Sequence, residues 1–315
     1  MTFVKLFAAT TMVALASLAV PSVAKPVEEK NLVSGKFSFD ETKGYIYLHG
    51  PGRQNGIFLR LPDEEDKTAY QKEWVEELAK AQEKYAKKLT RWEREVAVVQ
   101  QTGKNPSAKP IEPTAENFSI GAIELRGQVS FGPMFVFSKD GEGDSRKYAY
   151  MEEVEPGDYV YYGPVFANPN GGYFGTCFCM GSVQFSVKPG VVTNIGNFLF
   201  AAPDYDSVTT KISDISAQQA TSVLTSEAVD MNLPASLQAV ATEQADFRAS
   251  GKMDNYYGVT IDRIPAIDGI IAYERDVVVD LKQPIADNQS PRIADNPGGA
   301  ETIEADENLP VETNP

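Results

Sequence analysis

The chain predicts a mainly β fold: a β-sandwich interrupted by one long amphipathic helix and followed by a helical and extended C-terminal segment. Three observations carry that expectation. Short runs rich in Tyr, Phe, Val and Ile, set off by Gly, Pro and Asn turns, fill residues 30–61 and 118–200. Between them, from Asp66 to about Gln101, the apolar residues switch to a helical period. The 42% hydrophobic and 10% aromatic content supplies a core, and with only two cysteines that core rather than a disulfide framework must hold the fold.

The first 24 residues read as a signal peptide. Met1 to Lys5 is a short basic start, Leu6 to Val20 is apolar, and Ser22 and Ala24 are the small residues of a cleavage site before Lys25. No Cys follows for lipid attachment, and the run is short for a membrane span of about 20 apolar residues. The expected location is therefore periplasmic or secreted, with no membrane span after cleavage. From Lys30 to Leu61 the chain reads as β. Gly35 to Phe39 alternates, Tyr45 to Leu48 and Ile57 to Leu61 are aromatic and branched, and turns fall at Gly50-Pro51-Gly52 and Gln54-Asn55-Gly56.

The helix, expected over about 66–101, places Tyr70, Trp74, Leu78, Ala81, Tyr85, Leu89, Trp92, Val96 and Val99 on one face. Acidic residues 63–66 crowd its start and Lys87, Lys88, Arg91 and Arg94 lie in its second half, as the helix dipole favours. The face repeats every 11 residues, which keeps the helix nearly straight. Trp74, Tyr85 and Trp92 are expected to pack it across its own β domain; a partner-binding coiled coil is the alternative. Gly103 and Pro106, Pro110 and Pro113 end it.

Residues 118–200 form the densest β region. Ile120 to Val129, Met134 to Phe137, Tyr148 to Tyr150, Tyr159 to Tyr162, Gly175 to Phe185 and Val191 to Leu199 read as strands, with turns at sandwich-like intervals. The helix is thus an insertion in a β domain spanning 25–203. Residues 204–282 read as a helical and extended segment packed on the sandwich. It has weak periodicity at Ile212, Ile215, Val223 and Leu224, a helix from Pro234 to Ala249 closed by Gly251, and extended stretches at Tyr256–Ile264 and Ile270–Leu281. From Gln283 to Pro315 an acidic, Pro-rich tail without aromatics reads as disordered.

Tyr148-Ala-Tyr150 followed by Val154-Glu-Pro-Gly-Asp-Tyr159-Val-Tyr161 resembles the strand–Pro-Gly–strand hairpin of carboxypeptidase-regulatory-like and transthyretin-like β-sandwich modules. Phe185-Ser-Val-Lys-Pro-Gly190-Val-Val-Thr-Asn-Ile-Gly196 is similar to the second half of that pattern. Such modules occur in uncharacterised secreted bacterial proteins. The resemblance implies an antiparallel Greek-key sandwich and carries no catalytic residues across. The motifs cover only about 50 residues, and the long helix and the chain beyond Pro203 depart from a lone module.

Charge narrows the function classes. The whole chain carries a net charge of −15, and removal of residues 1–24 makes it −16, a field that repels nucleic acid and anionic headgroups. A single histidine, His49, leaves little for His-based metal sites or a Ser-His-Asp triad. Beside Gly50-Pro51-Gly52 it is expected on an exposed turn.

Cys177-Phe178-Cys179 is the sharpest chemical motif. On a regular strand the two Cα atoms sit about 6.5–7 Å apart, so a disulfide between them needs a bulge or turn. The alternatives are two reduced thiols buried as small hydrophobes, which is the favoured reading, and a soft-metal site with Met180. Tyr159, Tyr161, Tyr162, Tyr173 and Phe174 offer a ligand- or sugar-binding face, against the simpler, favoured reading of strand aromatics with one face in the core and the other semi-exposed. Asp262-Arg263 and Glu274-Arg275-Asp276 offer structural ion pairs. No catalytic residue, cofactor or metal is expected. The expectation is an exported, non-enzymatic protein of the cell envelope that binds or scaffolds an envelope protein or ligand; the alternative is a periplasmic thiol-redox or soft-metal-handling protein using Cys177 and Cys179.

Overall fold

The computed structural model describes residues 24–102, 106–143, 146–200 and 229–282. The expected signal peptide apart from Ala24, the weak periodicity at Ile212 to Leu224 and the acidic tail from Gln283 lie outside the described residues. In chain order, β1 (Lys25–Pro26), α1 (Glu29–Val33), β2 (Gly44–Pro51) and β3 (Gly56–Arg60) lead into α2 (Glu64–Thr102). After it come β4 (Gln128–Phe131), β5 (Ser138–Asp140), β6 (Lys147–Val154), β7 (Gly157–Gly163) and β8 (Val165–Ala167). They are followed by β9 (Tyr173–Cys177), β10 (Ser182–Val187) and β11 (Val192–Gly196). The described chain closes with β12 (Thr242–Gln244), β13 (Arg248–Ser250), β14 (Thr260–Ile261), β15 (Ile271–Glu274) and β16 (Val277–Asp280). The fold is mainly β, with several sheets and one long helix.

Two sheets share one core. The first runs β1-β6-β2-β11-β12, with β5 also on β6, and the second runs β13-β10-β7-β3-β4. Ile46, Leu48, Tyr150 and Ile195 from the first meet Phe58, Tyr159, Tyr161, Val183 and Phe185 from the second. Each sheet is covered on its other face too. Tyr45, Tyr47, Met151 and Val192 pack under Leu237, Leu32, Phe37 and Phe39. Ile57, Leu59, Val160, Tyr162, Cys177 and Cys179 pack under Met253, Tyr256 and Tyr257. Double burial explains why Tyr45 to Leu48 and Tyr159 to Tyr162 are continuous apolar runs rather than alternating ones.

Several expectations are corrected. The ladders are not all antiparallel: β11 pairs parallel to both β2 and β12, and β14 parallel to β9. About 140 residues separate β2 from β11, ample for the crossover a parallel pair needs. The β body does not stop at residue 203, because β12 joins the first sheet and β13 the second. The helix expected over 234–249 is a single turn, Ala235–Leu237, followed by those two strands. Residues 30–33, read as β, lie in α1, and Met134 to Phe137 is a loop with Met134 exposed. The expected strand from Gly175 to Phe185 breaks into β9 and β10 at a turn over Cys179 and Met180.

The inserted helix is present with its face as expected, but packed differently. α2 has 39 residues, about 58 Å at 1.5 Å per residue. Tyr70, Trp74, Leu78, Ala81, Tyr85, Leu89, Trp92, Val96 and Val99 are half-buried, and none is buried. They do not lie across the sheets. The chain returning from Pro106 to Gly121 runs antiparallel along this face and covers it. Tyr70 donates to the Gly121 carbonyl at 2.7 Å, Trp74 to Phe118 at 3.3 Å and Trp92 to Ser107 at 2.8 Å. Pro106, Pro110 and Pro113 favour an extended return segment and each remove one N–H that a strand ladder would use. Helix and return segment form an arm inserted between β3 and β4, which are hydrogen-bonded neighbours.

Candidate functional site: the cleft at the base of the arm

Where the arm leaves the body, a cleft of about 430 Å³ opens between the first turns of α2 and the edge of the stacked sheets. Its size falls in the range of small-molecule sites. Val129, Val154 and Tyr159 form its floor, and Arg60, Tyr70, Glu73 and Arg126 its wall. The local sequence builds the wall. Asp63 and Asp66 make a reciprocal helix cap, each backbone N–H donating to the other's carboxylate at 3.0 and 2.9 Å. Bonds from the backbone of Asp66 hold the Asp63 carboxyl below the usual range.

Arg60, the last residue of β3, bolts this cap to the second sheet. Its guanidinium donates to Asp66, to Asp63 at 2.9 Å and, through Nε, to the Pro156 carbonyl at 3.0 Å. Arg126 does the same from the returning chain. It grips Glu73 with both terminal nitrogens and lies 4.9 Å over the Tyr70 ring. That bond keeps the Glu73 carboxyl low and the Arg126 guanidinium high. Tyr159 donates to the Glu155 carbonyl at 2.6 Å, and Glu155 in turn pairs with Lys43. The polar groups around the cleft are thus matched to one another, and together they join the arm to the body. Sequence reasoning passed over Arg60, Glu73 and Arg126. The signal was the Asp-x-x-Asp cap just after a strand ending in Arg.

Elsewhere the expected site residues are scattered. Cys177 and Cys179 form a disulfide with Cα atoms 5.1 Å apart. The favoured reading of two reduced thiols is therefore corrected; the chain turns after Cys177 instead of continuing as a strand, which brings the two Cα atoms within reach. Both residues are buried, not between the two sheets but under the cover of the second. Among the described residues no group of three His, Cys, Asp or Glu is placed to hold a metal ion. Tyr159, Tyr161 and Tyr162 are fully buried core aromatics, whereas Tyr173 and Phe174 are exposed. Arg263 lies over the Tyr273 ring and donates to the Arg275 carbonyl.

His49 corrects its expectation as well. β2 runs on through Pro51, so His49 is a buried strand residue beside Tyr47 rather than an exposed turn residue. Burial lowers its pKa, opposed by the charge of Asp230, and its Nε2 has no partner. A second buried group, Glu152, was not foreseen. It shares the inward face of β6 with Tyr150 and Val154, is 1% exposed, and its Oε1 is unpartnered. Burial raises its carboxyl to about 8. Across the sheet Glu152 aligns with Ile46 and then Thr193, whose Oγ1 is also unpartnered.

Among the described residues no helix is long and apolar enough to cross a membrane. The chain matches no protein-family model, no curated protein and no solved structure.

Proposed function

We propose that this is an exported, non-enzymatic β-sandwich protein of the cell envelope, and that its helical arm binds or scaffolds another envelope component. The observation that carries the reading is the joint. Arg60 and Arg126 spend their hydrogen bonds fixing a 39-residue helix to the body, and the arm's apolar face is covered by its own return segment. An arm that is anchored at one end and internally satisfied presents its charged outer face to something else. The body suits a Greek-key origin, since the chain crosses between sheets at β2–β3, β4–β5, β6–β7, β10–β11 and β12–β13. Export follows from the leader and the cleavage site before Lys25.

Replacing residues 67–120 with a short Gly-Ser linker tests the arm. The body is expected to keep a cooperative unfolding transition, while the protein leaves its complex on size-exclusion chromatography of envelope extract. An unchanged complex would refute the role of the arm. Edman sequencing of the exported protein is expected to begin at Lys25. A second reading, thiol-redox chemistry, is kept by the Cys177–Cys179 bond. A reduction potential within the range of known oxidoreductases, with turnover of a dithiol substrate, would favour it.

A further inference from the structure

From Tyr159 to Val187 the sequence contains no charged residue, in a chain that is 23% charged. Most of that stretch is core, but part of it reaches the surface as the three-stranded sheet β14-β9-β8. There Phe166 and Phe174 stand opposite one another in register, 47% and 52% exposed. Their rings are 6.2 Å apart and stacked at 29°, an aromatic pair that stands partly open to solvent. Thr176 extends that face along β9, and Thr260 pairs with it from β14. The loop joining the strands adds the carboxamides of Asn168 and the exposed Asn170. The segment Asn255 to Ile261, which brings in β14, is uncharged as well.

We propose that this face binds an uncharged, pyranose-based glycan chain. Each component matches that chemistry. The C–H face of a pyranose is apolar and seats on the electron-rich face of an aromatic ring. Its ring hydroxyls are met by hydroxyl and carboxamide side chains, which both donate and accept. A charged ligand finds no counter-charge here, and a compact apolar ligand finds a flat surface rather than a pocket.

The platform is also held rigid. Gly175, at φ +117°, lets β9 approach β8 so closely that an added Cβ would lie 2.0 Å from the Pro164 carbonyl oxygen. The Cys177–Cys179 bond closes the end of β9, and Asp262 donates to the Cys177 carbonyl at 2.9 Å, tying β14 to it. A backbone held in place before binding loses little freedom on contact, which favours a flat, weakly gripping surface.

Binding at this face does not involve the arm. The full chain is run through native gels cast with hydroxyethylcellulose, with dextran or with no polysaccharide, and titrated calorimetrically with cellohexaose. Retardation in a polysaccharide gel is expected, with affinity falling at least tenfold in Phe166→Ala and Phe174→Ala and largely kept in Phe174→Trp. The variant lacking 67–120 is expected to be retarded like the full chain. Absence of retardation in both gels overturns the proposal, as does retardation that both alanine variants retain. A change in sedimentation-derived mass in those variants also overturns it, showing the face to be a contact between copies of the chain.

Discussion

Replacing Glu152 with Gln tests how the interior tolerates a buried carboxyl whose Oε1 has no partner. The group is 1% exposed between the two sheets, and burial lifts it from an ordinary 4.5 to about 8. It is therefore mostly protonated in the folded protein at pH 7 and ionised once unfolded. Because the folded pKa is the higher one, the stability linked to the proton is fully present below pH 4.5 and is lost as pH rises toward 8. At pH 7 the loss is about 1.4 kcal/mol for each of roughly 2.5 pH units, or about 3 kcal/mol, approaching about 5 above pH 8. Glutamine has nearly the same shape and no charge to release. Its extra buried N–H groups cost about 1 kcal/mol, leaving a gain near 2 kcal/mol at pH 7. For a body of this size that is about 4–8 °C in Tm. Thermal unfolding of both proteins at pH 4, 7 and 9 is the assay. The variant is expected to gain little or nothing at pH 4 and progressively more at pH 7 and 9. A difference independent of pH would refute the argument, because it would mean that Glu152 ionises in the fold as easily as in water.

His49 carries the opposite sign. Its folded pKa lies below 6.5, so the associated stability is present above pH 6.5 and is lost as pH falls through the folded value. Acid scans of His49→Gln are expected to show a flatter loss of stability between pH 6.5 and 5 than the native protein; identical slopes would show that His49 does not titrate differently in the fold. Trp92→Ala removes a half-buried ring and its bond to Ser107, and is expected to loosen the outer arm by about 1–2 kcal/mol while the body transition moves by less than about 1 °C. Hydrogen exchange across residues 90–113 measures the first and calorimetry the second; a large drop in body Tm would place the helix back on the sheets. Denatured protein is expected to release no thiol to Ellman's reagent without reductant and two with it. Two thiols without reductant would show that Cys177 and Cys179 are unbonded.

Much of this architecture was legible locally. Every residue of the expected face of α2 is half-buried, because a 3.6-residue period depends only on neighbours along the chain. What covers that face was not legible. The Pro-rich return segment has no periodicity of its own, and its docking depends on carbonyls receiving Trp and Tyr side-chain donors. Residues 234–249 carry helix punctuation in Pro234 and Gly251, yet pairing of Val192–Asn194 with Thr242–Gln244 and of Ser182–Gln184 with Arg248–Ser250 decides their structure. Such pairing spans about 50–70 residues and leaves no local trace. The disulfide was legible as a possibility, since only the turn after Cys177 decides whether it forms. The cleft was not, because Arg60 and Arg126 are distant in sequence and meet only through the first turns of α2, Arg60 at the Asp63–Asp66 cap and Arg126 at Glu73.

The measurement closest to the central claim is site-specific photocrosslinking in the producing cells. Benzoylphenylalanine at Thr90, on the exposed face of the arm, is compared with the same group at Gln238 on the body. The account predicts one adduct of discrete mass from Thr90, lost when residues 67–89 and 91–120 are scrambled, and none from Gln238. No adduct from Thr90, or the same adduct from both positions, would contradict the assignment of the arm as the binding element.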